Sequence, residues 1–381
     1  MSLLFSQSDA DDLRKRELPR ATVKPSLHDL QGAVLFGAGF IGHQILMHMH
    51  RLKIRPAWII DNNRDLWDTK IQGIPVRSPE SLHEVGERIV LISSSYLRPM
   101  GIACSAARVR KWSWFTDVSE IFGHLSITIT AEELLIEPEI DRLFGLLEKT
   151  DESRLVLKKV LTFRVTGDRD DLPFSVLPQY FPANLIPRNY YTSFVDCGAY
   201  NGDTLQEWIF NKQSDPFAPK KLQYFGFEPD PFNFKLLQNN HSNLSERFKN
   251  CCHLYPFAVG AESERIRMVQ NGAGTVLCDT LESGPEAKVV RLDEVLGNEK
   301  VGVIKMDIEG FELLALEGAR GILEKQRPAL LICVYHRPEH LWKIPLWIHD
   351  LGLGYKLFLR HHSTSFAETV CYAVPTNKTK F

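Results

Sequence analysis

The sequence predicts an α/β protein with two parallel-sheet domains, and three observations lead to this fold class. The chain has 381 residues, enough for two domains of about 150 residues each and a connector. Short apolar runs alternate with helix-like segments between residues 33 and 117, and the alternation begins again at residue 193. The last two apolar runs are joined by only a few polar residues, HSTSFA, which predicts an antiparallel hairpin at the edge of a doubly wound sheet.

The composition is that of an ordinary globular protein, with 44% hydrophobic and 24% charged residues. It excludes a disordered chain, a collagen-like chain and a small disulfide scaffold. Lys and Arg number 45 against 47 Asp and Glu, so charge gives no reason to expect nucleic acid as a partner. No apolar run approaches the roughly 20 residues that span a bilayer. Seven scattered cysteines predict reduced thiols and a cytoplasmic location.

Changes in pattern along the chain predict four regions. Residues 1–30 are polar and charged, which indicates a flexible or loosely packed arm. A connector separates the two domains, helical at first and then too rich in proline for regular structure. The predicted division is an arm at 1–30, a smaller α/β domain at 31–125, a connector at 126–190 and a larger α/β domain at 191–381.

Apolar runs of strand length and amphipathic segments locate the individual elements. In the smaller domain, strands are predicted at 33–37, 57–61, 88–94 and 111–117, with helices at 40–52 and 79–85. In the larger domain, strands are predicted at 193–198, 222–228, 253–259, 301–307, 329–336, 355–361 and 368–374, with a helix at 311–325.

The first glycine loop, GAGFIG, lies between a predicted strand and a predicted helix. Gly37, Gly39 and Gly42 have the G-x-G-x-x-G spacing, and Asp61 ends the next strand. This pattern is typical of a Rossmann-like dinucleotide site, in which the helix start binds pyrophosphate and the acid binds ribose hydroxyls. It is equally compatible with glycines that only permit tight packing of strand and helix, and both interpretations stay open.

The second glycine loop, VDCGAYNGDT, carries acids where a pyrophosphate site would not. Asp196, Gly198 and Gly202 follow a strand, and Asp203 opens a helix. Carboxylates repel pyrophosphate but attract a ligand that carries an ammonium and a sulfonium. Glu228 ends the next strand, and its two oxygens can accept both ribose hydroxyls of a nucleoside. The loop therefore predicts a site for S-adenosylmethionine.

Four segments in this order, VDCGAYNGDT, FGFEPDP, VVRLDEVL and VIKMDIEGFELLALEGA, resemble the FkbM family of S-adenosylmethionine-dependent methyltransferases. The resemblance covers about half the chain, from about residue 191 to the end. It implies a seven-stranded methyltransferase sheet and, commonly, methylation of a hydroxyl oxygen on a sugar or natural product. The predicted cofactor residues are Asp196, Gly198, Ala199, Tyr200, Gly202, Asp203, Thr204, Glu228, Pro229, Asp230, Ala258 and Val259.

The carboxyl ends of three further strands carry candidate catalytic residues, because ligands of open α/β sheets bind at those ends. Asp307 and Glu309 follow one strand, and His336 and His361 end two others. Two close carboxylates raise each other's proton affinity, which suits a base near neutral pH. We expect Asp307 or Glu309 to orient or deprotonate the acceptor, with His336 and either His361 or His362 lining the pocket. A divalent metal held by the same carboxylates and imidazoles is the less favoured alternative.

Two other functions remain open at this stage. One is an oxidoreductase or epimerase that uses the first glycine loop with a nicotinamide cofactor, although no Tyr-x-x-x-Lys set is found near it. The other is a non-catalytic binding protein. The sequence predicts a small-molecule or glycan hydroxyl acceptor for the methyltransferase, and leaves the identity of the acceptor and the oligomeric state open.

Overall fold

The computed structural model describes residues 4–51, 53–94, 96–115, 128–213, 221–269, 276–277 and 285–376. These residues fold into two compact units. The first unit comprises Met1–Glu137, Lys158–Leu172 and Thr364–Phe366, and the second comprises Pro138–Leu157, Pro173–Ser363 and Ala367–Phe381.

The first unit contains a six-stranded sheet in the order β3-β4-β2-β1-β5-β6. Five strands are parallel, and β3 pairs antiparallel with β4 at one edge. The central strands are buried and entirely apolar, as expected of a parallel sheet with both faces covered. The strands are β1 (Val34–Phe36), β2 (Trp58–Ile60), β3 (Lys70–Ile71), β4 (Ile74–Arg77), β5 (Val90–Ile92) and β6 (Trp112–Trp114).

Helices α1 (Gln7–Arg16), α2 (Phe40–Arg51), α3 (Leu97–Ala106) and α4 (Ala131–Ile136) also belong to the first unit. The segment predicted as a polar arm contains α1, which differs from the sequence expectation. Ser6 and Asp9 form a capping box at its start, and Leu13 is buried. A cap and one apolar stripe are enough to hold a short polar helix in place. Short 3₁₀ helices lie at Leu27–Leu30, Arg64–Leu66, Pro79–Glu84 and Arg169–Asp171.

The second unit contains a seven-stranded sheet in the order β16-β17-β15-β14-β7-β8-β9. Five strands are parallel, and the C-terminal hairpin of β16 and β17 is antiparallel, as the short polar connection predicted. The strands are β7 (Ser193–Cys197), β8 (Gln223–Phe227), β9 (Cys252–Tyr255), β14 (Val303–Met306), β15 (Ala329–Cys333), β16 (Tyr355–His361) and β17 (Thr369–Pro375).

Helices accompany this sheet, and a single-turn helix lies at Arg188–Thr192. The helix predicted at 311–325 is divided into α11 and α12, because the chain turns at Gly318, where a side chain would meet the carbonyl oxygen of Gly260. The helices are α5 (Pro138–Leu146), α6 (Ser153–Thr166, shared between the units), α7 (Asp203–Gln213), α8 (Pro231–Ser242), α9 (Glu246–Lys249), α10 (Leu292–Leu296), α11 (Glu312–Glu317), α12 (Arg320–Gln326) and α13 (His340–Asp350).

A second, four-stranded sheet in this unit was not predicted. Its order is β10-β13-β11-β12, formed by β10 (Ala258–Val259), β11 (Glu264–Val269), β12 (Val276–Leu277) and β13 (Glu286–Val290). The single strand predicted at 253–259 was wrong. Pro256 cannot donate to a sheet, so β9 ends before it and β10 joins the second sheet. The predicted fold class, an α/β protein with a seven-stranded sheet that ends in an antiparallel hairpin, is confirmed.

Candidate active site

The second glycine loop leaves the end of β7 in a conformation that demands glycine. Gly198 and Gly202 have φ angles of +82° and +89°, and Tyr200 between them is also left-handed at +44°. A Cβ atom on Gly198 would lie 2.0 Å from the carbonyl oxygen of Asp307. The glycines therefore permit both the turn and a close approach to the end of β14.

Glu228, at the end of β8, fastens the loop to its neighbour. Its Oε2 accepts the backbone N–H of Tyr200 at 3.0 Å, and its Oε1 accepts that of Asp230 at 2.9 Å. Each carboxylate oxygen can accept a second bond, so both keep a free acceptor position. Burial raises the pKa of Glu228 to about 7.

Asp196 does not have the role that its position in the motif suggested. It is fully buried behind the loop, where the ammonium of Lys305 lies 2.9 Å from its Oδ1 and the hydroxyl of Tyr224 donates to its Oδ2. Lys305 also donates to the carbonyl oxygen of Gly198 at 2.8 Å. Burial lowers the pKa of Lys305, but the carboxylates of Asp196 and Asp307 outweigh it and hold that pKa above its usual range. Asp196 thus supports the loop through a buried ion pair.

A cavity of about 370 Å³ lies in the second unit beside this loop. Ten of the predicted residues line it: Gly198, Tyr200, Asp203, Thr204, Glu228, Pro229, Ala258, Val259, Asp307 and Glu309. Six other predicted residues are absent from its lining: Asp196, Ala199, Gly202, Asp230, His336 and His361. The volume is within the range of small-molecule sites, roughly 300–1,000 Å³.

The charges on the cavity wall are mostly negative. Among the described residues that line it, one is a lysine and five are acids: Asp203, Glu228, Asp307, Glu309 and Glu368. Because Lys305 is paired with Asp196, the wall favours a cationic ligand over a polyanion.

Asp307 follows β14 and is held by two tyrosines. The hydroxyl of Tyr335 donates to its Oδ1 at 2.8 Å, and that of Tyr180 donates to its Oδ2 at 3.0 Å. Both tyrosine rings are buried. These bonds fix the carboxylate at the cavity wall.

Glu309 lies two residues further along, in a backbone conformation that is unfavourable for a residue with a side chain. Its φ is +55°, and Gly310 after it has a φ of +96°. Residues that keep such strain cluster at functional sites. Burial raises the pKa of Glu309 to about 7.

His336 lies behind these two carboxylates and is 2% exposed. Its Nε2 is 3.4 Å from Oδ1 of Asp307 and 3.5 Å from Oε2 of Glu309. Its Nδ1 is 2.8 Å from Oε1 of Glu312. Burial alone would lower the pKa of His336, but the nearby carboxylates of Glu312 and Glu309 outweigh burial and raise this pKa to about 10. At neutral pH this side chain is an imidazolium.

The expectation that His361 or His362 lines the pocket was wrong. His361 is fully buried at the end of β16, where its Nδ1 lies 2.8 Å from the hydroxyl of Thr369. His362 pairs with the hydroxyl of Tyr372 at 2.7 Å, and burial lowers its pKa to about 4. Neither of these two histidines belongs to the cavity wall.

Several residues at the site were not predicted. Glu368, which immediately precedes β17, lines the cavity, and Gln179 donates to its carboxylate. Glu312 opens α11 directly after the K-x-D-x-E-G segment. The strand-end rule could have identified Glu368, because β17 runs antiparallel to β15 and the residue that precedes β17 lies at the edge where β15 ends.

The first glycine loop occupies the predicted position between β1 and α2. Asp61 accepts the backbone N–H of Ala38 at 2.6 Å with Oδ2 and that of Asn63 at 2.7 Å with Oδ1. A Cβ atom on Gly42 would lie 2.1 Å from the carbonyl oxygen of Gly37, so close packing alone requires this glycine.

Among the described residues, no group of three or more His, Cys, Asp or Glu side chains is arranged to hold a metal ion. No helix within those residues has both the length and the apolar character needed to cross a bilayer.

Comparison with known proteins finds a family match within the second unit. Residues 196–361 match the family model of the methyltransferase FkbM domain. No curated protein matches the sequence. The crystal structure of methyltransferase FkbM from Methylobacillus flagellatus KT superposes with a TM-score of 0.64 at 22% identity, covering 96% of this chain and 96% of that one. This likeness shows a common fold.

Two other solved structures are more distant. A methyltransferase from Geobacter sulfurreducens gives a TM-score of 0.29 at 14% identity, over 64% of this chain and 99% of that one. The methyltransferase domain of bacterial CtHen1 gives 0.30 at 10% identity, over 49% and 91%. Scores this low do not establish a shared fold. Residues 196–361 of this chain are thus similar to the FkbM methyltransferase domain, and this match supports methyltransferase as the class of activity.

Proposed function

We propose that this protein transfers a methyl group from S-adenosylmethionine to a hydroxyl oxygen of a sugar or another small natural product. One observation carries the proposal. A carboxylate suited to a nucleoside ribose, Glu228, and two carboxylates suited to a hydroxyl acceptor, Asp307 and Glu309, line the same cavity.

The residues of the cavity fit S-adenosylmethionine. Glu228 keeps a free acceptor position on each oxygen, which matches the two hydroxyls of a ribose. The loop from Gly198 to Thr204 supplies backbone close to the start of α7 for the methionine end. The acidic wall attracts the ammonium and sulfonium charges. When bound, the cofactor supplies an activated methyl group and a neutral thioether leaving group.

The acceptor end of the cavity is formed by Asp307 and Glu309. A hydroxyl attacks a methyl carbon effectively only if its proton is removed, so a positioned base accelerates the transfer. One of the two carboxylates accepts this proton, while the other holds the acceptor. The tyrosines on Asp307 keep the pair in place, which provides the orientation that an in-line displacement requires.

Calorimetric titrations with S-adenosylmethionine and with NAD test the proposal. We expect the protein to bind S-adenosylmethionine in the micromolar range and NAD not at all. Binding of NAD alone would favour the oxidoreductase or epimerase that the first glycine loop suggested. Binding of neither would contradict the proposal and favour a non-catalytic binding protein.

Other features of the proposed function rest on the sequence. We propose a nucleotide-binding-type domain at residues 31–125 and a methyltransferase domain at 191–381, joined by the connector. A second nucleotide site at Gly37, Gly39, Gly42 and Asp61, a cytoplasmic location and the lack of a nucleic-acid partner stay predictions.

A further inference from the structure

Asp307 and Glu309 are not equivalent in the structure. Both oxygens of Asp307 are occupied by tyrosine hydroxyls, those of Tyr180 and Tyr335. Asp307 is therefore held in one orientation, and the acceptor position left on each oxygen suits it to bind the hydroxyl group of the acceptor.

Glu309 is the more open carboxylate of the two. Within the described part of the chain, its carboxylate accepts no hydrogen bond, and its one close ionic neighbour is Nε2 of His336 at 3.5 Å. Its side chain is 22% exposed and lines the cavity. Its backbone is strained, and such strain persists only where the surroundings enforce it.

Glu312 holds the strained backbone at Glu309 in place. It is fully buried, and its Oε1 accepts the backbone N–H groups of Ile308 at 3.1 Å and Gly310 at 3.3 Å. These are the residues on either side of Glu309. One side chain therefore fixes the peptide on both sides of the strained position.

The same carboxylate orients the imidazole that faces Glu309. Oε1 of Glu312 lies 2.8 Å from Nδ1 of His336, and its Oε2 lies 3.2 Å from Nδ1 of His340. Burial opposes ionisation, but these imidazoles hold the pKa of Glu312 well below its usual range. His336 thus presents Nε2–H towards Asp307 and Glu309.

We propose that Glu309 accepts the proton of the acceptor hydroxyl, and that Glu312 is a positioning residue that fixes the Glu309 backbone and, through His336, the cation facing it. The proposal rests on the methyltransferase function proposed above. The O–H bond of the acceptor breaks, and its proton moves to Glu309. The oxygen lone pair forms the new bond to the methyl carbon, and the C–S electron pair stays on sulfur as S-adenosylhomocysteine leaves.

The charged groups around Glu309 set the direction of each expected effect. The carboxylates of Asp307, Glu312 and Glu368 raise its pKa, and the cation of His336 lowers it. The side chain of Arg337 lies against the neighbouring Gly310. Removal of the His336 charge must therefore raise the pKa of Glu309, because it removes the cation that stabilises the ionised carboxylate.

The first experiment needs no acceptor. The protein is labelled with ¹³C at the glutamate side-chain carboxyls, saturated with S-adenosylhomocysteine and titrated by NMR. We expect a signal with a midpoint near pH 7 that is lost in Glu309→Gln and shifts upward by about one pH unit in His336→Gln. The proposal is overturned if Glu309 titrates near pH 4, or if its midpoint is the same in His336→Gln.

The second experiment measures transfer of tritiated methyl groups from S-adenosylmethionine to a panel of neutral methyl glycosides. We expect kcat to fall about 100-fold in Glu309→Gln and in Glu312→Gln, with cofactor affinity unchanged within about threefold. Glu312→Asp, which keeps the charge, should recover part of the loss, and the exposed Glu324→Gln is the matched control that should change nothing.

The two proposals fail in different ways. If wild-type protein binds no S-adenosylmethionine or methylates none of the glycosides, the proposed function fails for that cofactor or acceptor class, and the NMR titration repeated without ligand still tests whether His336 sets the pKa of Glu309. If transfer occurs and Glu309→Gln keeps the wild-type pH profile, the role of Glu309 is wrong. If Glu312→Gln does not fold, the pH profile of His336→Gln supplies the test of the link to His336.

Discussion

The first glycine loop and the second are built in nearly the same way. Each follows a buried strand, and in each an acid from the end of the next strand accepts a backbone N–H of the loop: Asp61 from Ala38, and Glu228 from Tyr200. Each acid also accepts the N–H two residues beyond itself. The two loops thus share one structural feature: an acid at the end of the next strand binds the backbone of the turn between strand and helix.

The difference lies on the neighbouring strand. In the first loop the carbonyl oxygen of Gly37 accepts the hydroxyl of Ser93, a neutral group. In the second loop the carbonyl oxygen of Gly198 accepts the ammonium of Lys305, which is paired with Asp196. A shared motif therefore fixes the turn in both loops, and the charges behind and around it differ between them.

The largest effect is expected from the glycines themselves. Gly198→Ala would place a Cβ atom 2.0 Å from a carbonyl oxygen at a φ of +82°, so the second unit should lose more than about 3 kcal/mol of unfolding free energy or fail to fold. Gly39→Ala meets nothing within 4 Å and should cost less than about 1 kcal/mol. Urea unfolding followed by circular dichroism measures both. Equal losses would show that the close approach to Asp307 does not constrain Gly198.

The second effect concerns the groups behind the loops. Lys305→Met leaves Asp196 charged and buried without its partner, which should cost about 3–5 kcal/mol. Ser93→Ala removes one neutral hydrogen bond and should cost about 1–2 kcal/mol. The double variant Lys305→Met, Asp196→Asn should be more stable than Lys305→Met alone. Thermal or urea unfolding measures these free energies. If Ser93→Ala lost more unfolding free energy than Lys305→Met, the stabilising role of the buried ion pair would be refuted.

The third effect separates the two acids by ligand binding. Glu228→Gln removes the charge that receives the ribose hydroxyls, so affinity for S-adenosylmethionine should fall about 10–100-fold. Asp61→Asn, the matched change in the first loop, should leave that affinity unchanged within about twofold. Isothermal titration calorimetry measures both. If only Asp61→Asn lost affinity for S-adenosylmethionine, the cofactor would bind at the first glycine loop, and the prediction for Glu228 would be wrong.

The smallest effect is a pH dependence. Burial raises the pKa of Glu228 to about 7, so the carboxyl is mainly neutral below that pH and ionised above it. Since the ionised form binds hydroxyl donors and cations better, affinity for S-adenosylmethionine should rise about tenfold between pH 6 and pH 8. Glu228→Gln should flatten the profile. A wild-type affinity that falls over this range would contradict the assigned sign.

The sequence was sufficient to predict the positions of residues that stand at the ends of strands. Strand ends were sufficient to bring Glu228, Asp307 and Glu309 to one cavity, because parallel strands present their carboxyl ends at one edge of a sheet. The turn at Gly198 and the C-terminal hairpin follow from local rules in the same way.

Residues whose role depends on a neighbour were misjudged or missed. Asp196 was expected to contact the ligand. Instead it forms a buried ion pair with Lys305, which lies beside it in register on β14. His361 points into the hairpin instead of the cavity. Glu312 was missed because its importance comes from bonds to two backbone N–H groups that only the folded turn brings to it.

The most direct test of the central claim is a crystal structure of the protein with S-adenosylhomocysteine at saturating concentration. The account predicts the nucleoside in the cavity of the second unit, with both ribose hydroxyls within hydrogen-bond distance of the Glu228 carboxylate. Electron density for the nucleoside at the first glycine loop, or a cavity that stays empty under these conditions, would contradict it.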